Sequence, residues 1–223
     1  MGLSRTKIDF SLLRRYNIGM DKRISTNKRN YDKEMTELIA RIPKGERLLL
    51  HSCCAPCSSA CLQRLKEHFS VTVFYYNPNI DLDEEYQKRK AEQLRFLQQT
   101  GWADILDCDH DKQAFERLVQ GYENEPERGK RCALCYRLRL EKTAQAAKEN
   151  GYNWFCTTLT VSPYKNADWL NEIGQEIGDR YGLNYLLSDF KKQGGYLLST
   201  KLSAQYGLYR QDFCGCKYSQ KNK

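Results

Sequence analysis

The ten cysteines of this 223-residue chain are the residues with the most evident chemical potential. Three of them fall within five residues, in His51-Ser-Cys-Cys-Ala-Pro-Cys57, at a predicted turn from a strand to a helix. The positive end of a helix dipole at such a turn stabilises thiolates, the form of cysteine that binds metal. One cysteine there would be consistent with a small buried apolar residue, but three at one turn favour a functional site.

A second pair, Cys132 and Cys135, begins a predicted helix in Lys130-Arg-Cys-Ala-Leu-Cys135. A C-x-x-C pair at the start of a helix can present both sulfurs to one metal. Together with Cys53 and Cys54 the pair gives four thiolates, which suit an iron–sulfur cluster or a tetrahedral zinc. The sequence therefore predicts a metal centre, and we expect an iron–sulfur cluster.

The third pair, Cys214-Gly-Cys216, lies close to the C-terminal end of the sequence. The glycine lets the backbone bend, so the two flanking thiols can approach and form a reversible, catalytic disulfide. An incidental dithiol and two additional metal ligands are the alternatives. We expect the remaining cysteines to be buried or incidental: Cys61, Cys108 and Cys156.

The segments that must position these thiols alternate between strand and helix patterns. Apolar or β-branched runs predict strands near residues 47–51, 71–76, 103–106, 154–159 and 183–187. This alternation predicts an α/β fold, a Rossmann-like parallel sheet with helices on both faces, followed by a cysteine-bearing C-terminal helical tail. We expect two regions, a basic N-terminal extension with a short helix (1–46) and a single catalytic domain (47–223).

Ligands of such folds bind beyond the carboxyl ends of the strands. Cys53 and Cys54 follow the first predicted strand, an acidic run that includes Asp109 and Asp111 follows the third, and residues 157–165 follow the fourth. We therefore expect these loops to converge on one site.

The charge of the chain, +8, favours a polyanionic partner. Basic residues are concentrated in the first 30 residues and again around the C-x-x-C pair, where the candidate RNA-binding residues are Lys130, Arg131, Arg137 and Arg139. A solvated basic surface is the alternative. The sequence shows neither a secretory signal nor 18 consecutive apolar residues, so we expect a cytoplasmic protein with reduced thiols.

Several other functions would use part of this pattern. A thioredoxin-like thiol-disulfide oxidoreductase would use Cys54-Ala-Pro-Cys57, but it explains neither Cys53 nor the C-x-x-C pair. A zinc-stabilised RNA-binding module leaves the C-terminal pair without a role. An ATP-dependent tRNA thiolase requires a glycine-rich phosphate loop where this sequence has cysteines.

The combination of motifs resembles the cobalamin-independent, QueH-type epoxyqueuosine reductase family over roughly residues 47–218. The motifs occur in the order His51-Ser-Cys-Cys-Ala-Pro-Cys57, Phe74-Tyr-Tyr-Asn-Pro-Asn79, Lys130-Arg-Cys-x-x-Cys135, Thr158-Leu-x-Val-Ser-Pro163 and Leu208-Tyr-Arg-Gln-x-Phe-Cys-Gly-Cys216. The resemblance implies an oxidoreductase that removes the epoxide oxygen of epoxyqueuosine in tRNA to give queuosine. It also implies an external electron donor, because no flavin or nicotinamide motif is present.

The resemblance further implies roles for individual residues. The ligands of a 4Fe–4S cluster would be Cys53, Cys54, Cys132 and Cys135, and the redox-active pair would be Cys214 and Cys216. An additional mononuclear iron is associated with the family, and the candidates for it here are Cys57, Asp109 and Asp111. Cys57 stands where some relatives have aspartate. Independently of the resemblance, the aromatic residues that could stack on an extruded base are Tyr75, Tyr76, Tyr136 and Trp169, with core packing as the alternative.

Overall fold

A computed structural model describes residues 29–219 of the chain. Five strands form one parallel sheet in the order β3-β2-β1-β4-β5. The strands are β1 (Glu46–His51), β2 (Phe69–Phe74), β3 (Asp104–Leu106), β4 (Trp154–Thr157) and β5 (Asn184–Tyr185). Parallel strands need crossover connections, and the helices of this chain supply them.

Seven α-helices are described in residues 29–219. They are α1 (Tyr31–Ile39), α2 (Ala55–Leu65), α3 (Asp83–Thr100), α4 (Lys112–Val119), α5 (Lys130–Glu149), α6 (Ala167–Tyr181) and α7 (Gly195–Gln205). A short 3₁₀ helix, Thr158–Val161, directly follows β4. Within this part of the chain, no helix combines the length and the apolar character needed to cross a membrane.

The strands bury both faces of the sheet, as the continuous apolar run of β1 predicts. Leu49 of β1 lies in one apolar cluster with residues of α4, α5 and α6. Leu48 and Leu50 point the other way, into a second cluster with residues of α1, α2 and α3. This alternation follows from the two-residue period of a strand, and it places helices on both sides of the sheet.

The predicted fold class is therefore confirmed. The short helix predicted in the N-terminal extension is present and ends at Ile39, and the second strand ends at Phe74, before the two tyrosines predicted to continue it. Helix α7 accounts for the helical part of the C-terminal region, whereas Cys214 and Cys216 lie beyond it, in an irregular tail segment of residues 206–219. Basic residues of the first 28 positions lie outside the described residues, and the domain boundary between residues 46 and 47 stays a prediction.

Candidate metal and redox site

The order in which the strands are added to the sheet reverses at β1, and the first group of cysteines follows this strand. Strand β1 pairs with β2 on one side and with β4 on the other, so the loops after β1 and β4 leave the carboxyl edge side by side. The last residue of β1, His51, is in register with Thr157 of β4. Cys53 follows the first strand and Thr158 follows the other.

Three sulfurs gather on the loop after β1 and in the first turn of α2. The Sγ atoms of Cys53, Cys54 and Cys57, here called the cysteine trio, all lie within 4.8 Å of one another. Cys54 is the N-cap residue of α2, and Pro56 fits the first turn because its missing N–H would have no helical partner. The local sequence thus folds these thiols onto the positive end of a helix.

The trio favours one negative charge shared among its sulfurs. Hydrogen bonds from the thiols of Cys54 and Cys57 lower the pKa of Cys53, and the hydroxyl of Thr158 donates to Cys53 Sγ at 3.6 Å. Donating to Cys53 raises the pKa of Cys54 to about 12 and that of Cys57 well above its usual value, and burial adds to both shifts. A cation bound here would replace the shared protons and accept all three sulfurs as ligands.

Arg139, predicted from the sequence to bind RNA, lies inside the molecule instead. Its side chain is buried, and its Nε–H donates to His51 Nε2 at 3.1 Å while Nη2 donates to Asn77 Oδ1. Burial alone would lower the pKa of Arg139, but the thiols of Cys135 and Cys53 outweigh it and raise the pKa. The guanidinium therefore puts a permanent positive charge beside the sulfurs.

His51 connects this guanidinium to the sheet as a neutral group. Burial and the charge of Arg139 lower the pKa of His51 to about 3. Its Nδ1 lies 2.9 Å from the hydroxyl oxygen of Thr157, so both ring nitrogens have partners. A neutral imidazole transmits no additional charge to the site and fixes the orientation of Arg139.

Two further predicted RNA-binding arginines also point inward, because their guanidinium groups bind partners within the fold. Arg131 donates to the backbone carbonyl oxygens of Tyr122, Glu123 and Glu125, and it is 2% exposed. Arg137 forms a two-bond ion pair with Glu176 and is 3% exposed. Because these guanidinium groups are committed to internal partners, only Lys130 of the four predicted residues remains exposed to a phosphate.

Cys132 and Cys135 lie in the first two turns of α5 and face the same apolar cluster as Cys53, Cys214 and Cys216. The backbone N–H of Arg128 donates to Cys132 Sγ at 3.3 Å. Burial raises the pKa of Cys135 to about 12, against the opposing charge of Arg139. The fold thus brings all three cysteine pairs of the sequence to one region, although the trio alone forms a group of three within 4.8 Å among residues 29–219.

The C-terminal pair is held by side chains from three other parts of the fold. Lys165 Nζ lies 3.5 Å from Cys214 Sγ, and the Asn79 amide nitrogen lies 3.9 Å from the same sulfur. Arg89 of α3 donates to the carbonyl oxygens of Phe213 and Cys214. Cys214 and Cys216 are free thiols in the structure, as are the other eight cysteines.

Helix α3 anchors the rest of the tail segment. Glu92 accepts a hydrogen bond from the backbone N–H of Tyr209 at 2.6 Å, and Arg95 donates to the carbonyl oxygens of Tyr206 and Gly207. The backbone of Gly215 reaches the opposite loop, because its carbonyl accepts from the N–H of Asp81 at 3.0 Å. The irregular segment is therefore fixed by specific contacts rather than by its own secondary structure.

The candidate second metal site does not form as a group. Cys57 lies with Cys53 and Cys54, whereas no group of three or more potential ligands within residues 29–219 includes Asp109 or Asp111. Asp111 instead caps α4, where its carboxylate accepts from the N–H of Ala114. Two of the cysteines expected to be buried, Cys61 and Cys156, are fully buried on the other face of the sheet, and Cys108 is partly buried.

Several residues of the site were not singled out from the sequence. Gln211 lies within the motif that ends at Cys216, and Lys165 lies two residues beyond the motif that ends at Pro163, but the roles of both depend on contacts with cysteines distant in the chain. The side chain of Gln211 hydrogen-bonds Cys54, and its Oε1 is a buried acceptor with no hydrogen-bond partner among the described residues. Within residues 29–219, Asn79 Oδ1 is likewise a buried acceptor without a hydrogen-bond partner. Polar atoms of this kind, next to clustered thiols, are suited to hold a ligand.

The fold and the site together define a class, an α/β protein with a thiol-rich site at the carboxyl edge of a parallel sheet. The family model described as "Epoxyqueuosine reductase QueH" matches residues 48–222. The chain therefore belongs to the epoxyqueuosine reductase QueH family, and the predicted family and its enzyme class, an oxidoreductase, are confirmed.

Relatives from distant bacteria agree with this membership. A protein of Streptococcus pyogenes serotype M1 named epoxyqueuosine reductase QueH is 39% identical over 203 residues, which cover 87% of this chain and 79% of the relative. A protein of the same name from Staphylococcus epidermidis is 37% identical, covering 88% of this chain and 87% of the relative. Another, from Thermotoga maritima, is 33% identical, covering 77% of this chain and 89% of the relative.

Proposed function

We propose that this chain reduces epoxyqueuosine in tRNA to queuosine, in the cytoplasm, with electrons from an external donor. The reaction removes the epoxide oxygen as water: the epoxide takes up two electrons and two protons and leaves an alkene. Family membership supports this substrate. The observation that carries the chemistry is the buried positive charge of Arg139, which interacts electrostatically both with Cys53 of the cysteine trio and with Cys214.

The residues of the site fit a metal centre with net negative charge. Three sulfurs lie within 4.8 Å of one another, and the buried guanidinium of Arg139 lies among thiols, with histidine and amide atoms as its hydrogen-bond partners. A buried cation is costly unless anions surround it, and metal-bound thiolates would be such anions. Cys53, Cys54, Cys132 and Cys135 would hold a 4Fe–4S cluster, with Cys57 available to a ligand set that extends to an additional iron.

The group, when bound, supplies Lewis acidity and a route for single electrons. The chain itself supplies two electrons and two protons when Cys214 and Cys216 go from dithiol to disulfide, which balances the reduction of one epoxide. The external donor then returns the pair to the dithiol. Lys165 carries a positive charge next to Cys214, since the surrounding thiols raise its pKa, and its ammonium can hold a proton at this point of the site.

The decisive experiment combines metal analysis with turnover. Protein purified and handled without oxygen should contain iron and acid-labile sulfide and show the broad visible absorption of an iron–sulfur cluster. The same preparation, with a chemical reductant, should convert epoxyqueuosine in tRNA to queuosine. Stoichiometric zinc without sulfide, and no conversion, would refute the proposal and favour a zinc-stabilised RNA-binding module.

A further inference from the structure

An exposed aromatic side chain lies directly beside the site and is not used by the chemistry proposed above. Tyr164 is 60% exposed, in the loop between the 3₁₀ helix and α6. The guanidinium carbon of Arg128 lies 5.6 Å from the centre of its ring, in a cation–π arrangement. Tyr164 and Arg128 are here called the surface pair.

Both members of the surface pair are connected to thiols of the site. The backbone N–H of Arg128 donates to Cys132 Sγ at 3.3 Å, and Lys165, next to Tyr164 in the chain, places its Nζ 3.5 Å from Cys214 Sγ. Arg128 adopts a φ of 69°, a conformation that is uncommon for a residue with a side chain. The chain therefore holds the surface pair at the rim of the thiol site by specific contacts on each side.

Charge around the surface pair favours an anionic partner. Arg128 and Lys130 are both exposed, whereas the acidic groups of the same loop have partners. Glu127 pairs with Lys165, and the carboxylate of Glu125 accepts from the N–H of Lys130. Two exposed cations and an exposed ring are the elements that bind single-stranded nucleic acid, in which bases stack on aromatic rings and phosphates meet cations.

We propose that the surface pair is the RNA-docking platform of this chain, with a base of the tRNA loop stacked on Tyr164 and a neighbouring phosphate bound by Arg128. The inference rests on the proposed function, and it replaces the RNA-binding role predicted for the buried arginines of α5. It also replaces the stacking role of Tyr75, Tyr76 and Tyr136, which are 0–3% exposed. A base stacked at the rim leaves the adjacent modified nucleotide free to enter the site.

The chain offers a matched control for the aromatic ring. Tyr196 of α7 is 41% exposed and also carries a guanidinium over its ring, that of Arg210 at 5.2 Å. For the charge, Arg41 is exposed beside Ile42, close to the start of β1 at the opposite edge of the sheet. Both controls change the same chemical groups as the test variants, away from the rim.

The experiment measures binding of a fluorescently labelled tRNA anticodon stem–loop by anisotropy, in parallel with reduction of epoxyqueuosine in tRNA. Tyr164→Ala should weaken binding about 5-fold or more, the lower range for one base on one ring, and should raise KM without lowering kcat. Tyr164→Phe should retain binding, and Tyr196→Ala should leave it unchanged. Arg128→Gln should reduce the slope of log affinity against log salt by about 0.7, the value for one phosphate of a single strand, and Arg41→Gln should not.

The possible failures are distinguishable. Equal affinity of the wild type and Tyr164→Ala, or an equal loss in Tyr196→Ala, would overturn the platform and leave the proposed function intact if the wild type still turns over. Unchanged RNA affinity with slower reduction by a protein donor would assign the surface pair to the donor and overturn its role in RNA binding. No reduction by the wild type would overturn the proposed function, and this inference with it.

Discussion

The cysteine trio and the C-terminal pair reach the same region of the molecule by different means. The trio lies at the end of β1 and in the first turn of α2, so the sheet and the helix fix its position. Cys214 and Cys216 lie in an irregular segment that depends on hydrogen bonds from Arg89 and on the contacts of Asn79 and Lys165. The proposed metal ligands of the trio are thus placed by the fold, whereas the proposed redox pair is placed by a few contacts that substitutions can remove one at a time.

The largest effect is expected from removing a thiol of the trio. Cys53→Ala should lower the affinity for iron by more than about 100-fold, because loss of a direct ligand exceeds the effect known for outer-shell partners. The measurement is iron and sulfide per chain after anaerobic reconstitution. Cys57→Ala in the same assay tests whether the third sulfur of the trio belongs to the ligand set.

Cys61 provides the control for that prediction, because it lies one turn beyond Cys57 along α2 but is fully buried and is not part of the trio. Cys61→Ala should leave the iron content unchanged. A wild-type iron content in Cys53→Ala would contradict the assignment of the trio as a metal site.

Loosening the tail segment should affect turnover rather than metal content. Arg89→Met removes two hydrogen bonds to the backbone next to Cys214. A small displacement of a reacting group costs about 100-fold in rate, so we expect a loss of this order in multiple turnover with the cluster retained. Arg95 lies on the same helix but bonds the backbone at Tyr206 and Gly207, farther from Cys214 in the chain. Arg95→Met should therefore reduce the turnover rate much less. Similar losses of turnover in both variants would mean that the position of Cys214 does not depend specifically on Arg89.

The buried guanidinium should have a smaller effect on the metal centre. Arg139→Met should weaken iron binding about 10-fold, as loss of an outer-shell partner does, because the positive charge beside Cys135 and Cys53 disappears. The measurement is the rate of iron transfer to a chelator. Arg139→Lys keeps the charge and should bind iron more tightly than the Met variant. Equal release from both variants would show that the guanidinium acts by shape alone.

The smallest effect concerns the pH dependence of the tail. Hydrogen bonds from Arg95, together with the N–H of Tyr209, lower the pKa of Glu92 below its usual 4.5. Because the folded-state pKa is depressed, this contribution to stability is present above pH 4.5 and is lost as the pH falls through the folded value. We expect the amide protection of the tail to decrease in that window by less than about 1 kcal/mol. Glu92→Gln should remove this dependence, and a wild-type profile in the variant would contradict the assignment.

The sequence indicates how the trio is placed but not how the pair is placed, for a physical reason. A strand followed by cysteines and Pro56 is a local pattern, and local patterns determine where a strand ends and a helix starts. The position of Cys214 depends on Arg89 and Lys165, which lie 125 and 49 residues away in the chain and have no spacing that reveals the contact. The same limitation explains the arginines of α5, because a basic helix whose arginines face solvent and one whose arginines bind partners within the fold, such as Glu176, have similar composition.

Alkylation of the two thiols on the far face of the sheet would report global unfolding of the molecule. Cys61 and Cys156 are fully buried, and burial raises the pKa of Cys156 to about 12, so an alkylating reagent reaches them as reactive thiolates only after global opening of the core. The partly exposed Cys53, Cys132 and Cys214 should be modified earlier, as soon as they are free of the proposed metal centre or disulfide. Mass spectrometry of a single alkylation time course would therefore separate decay of the reactive site from loss of the fold.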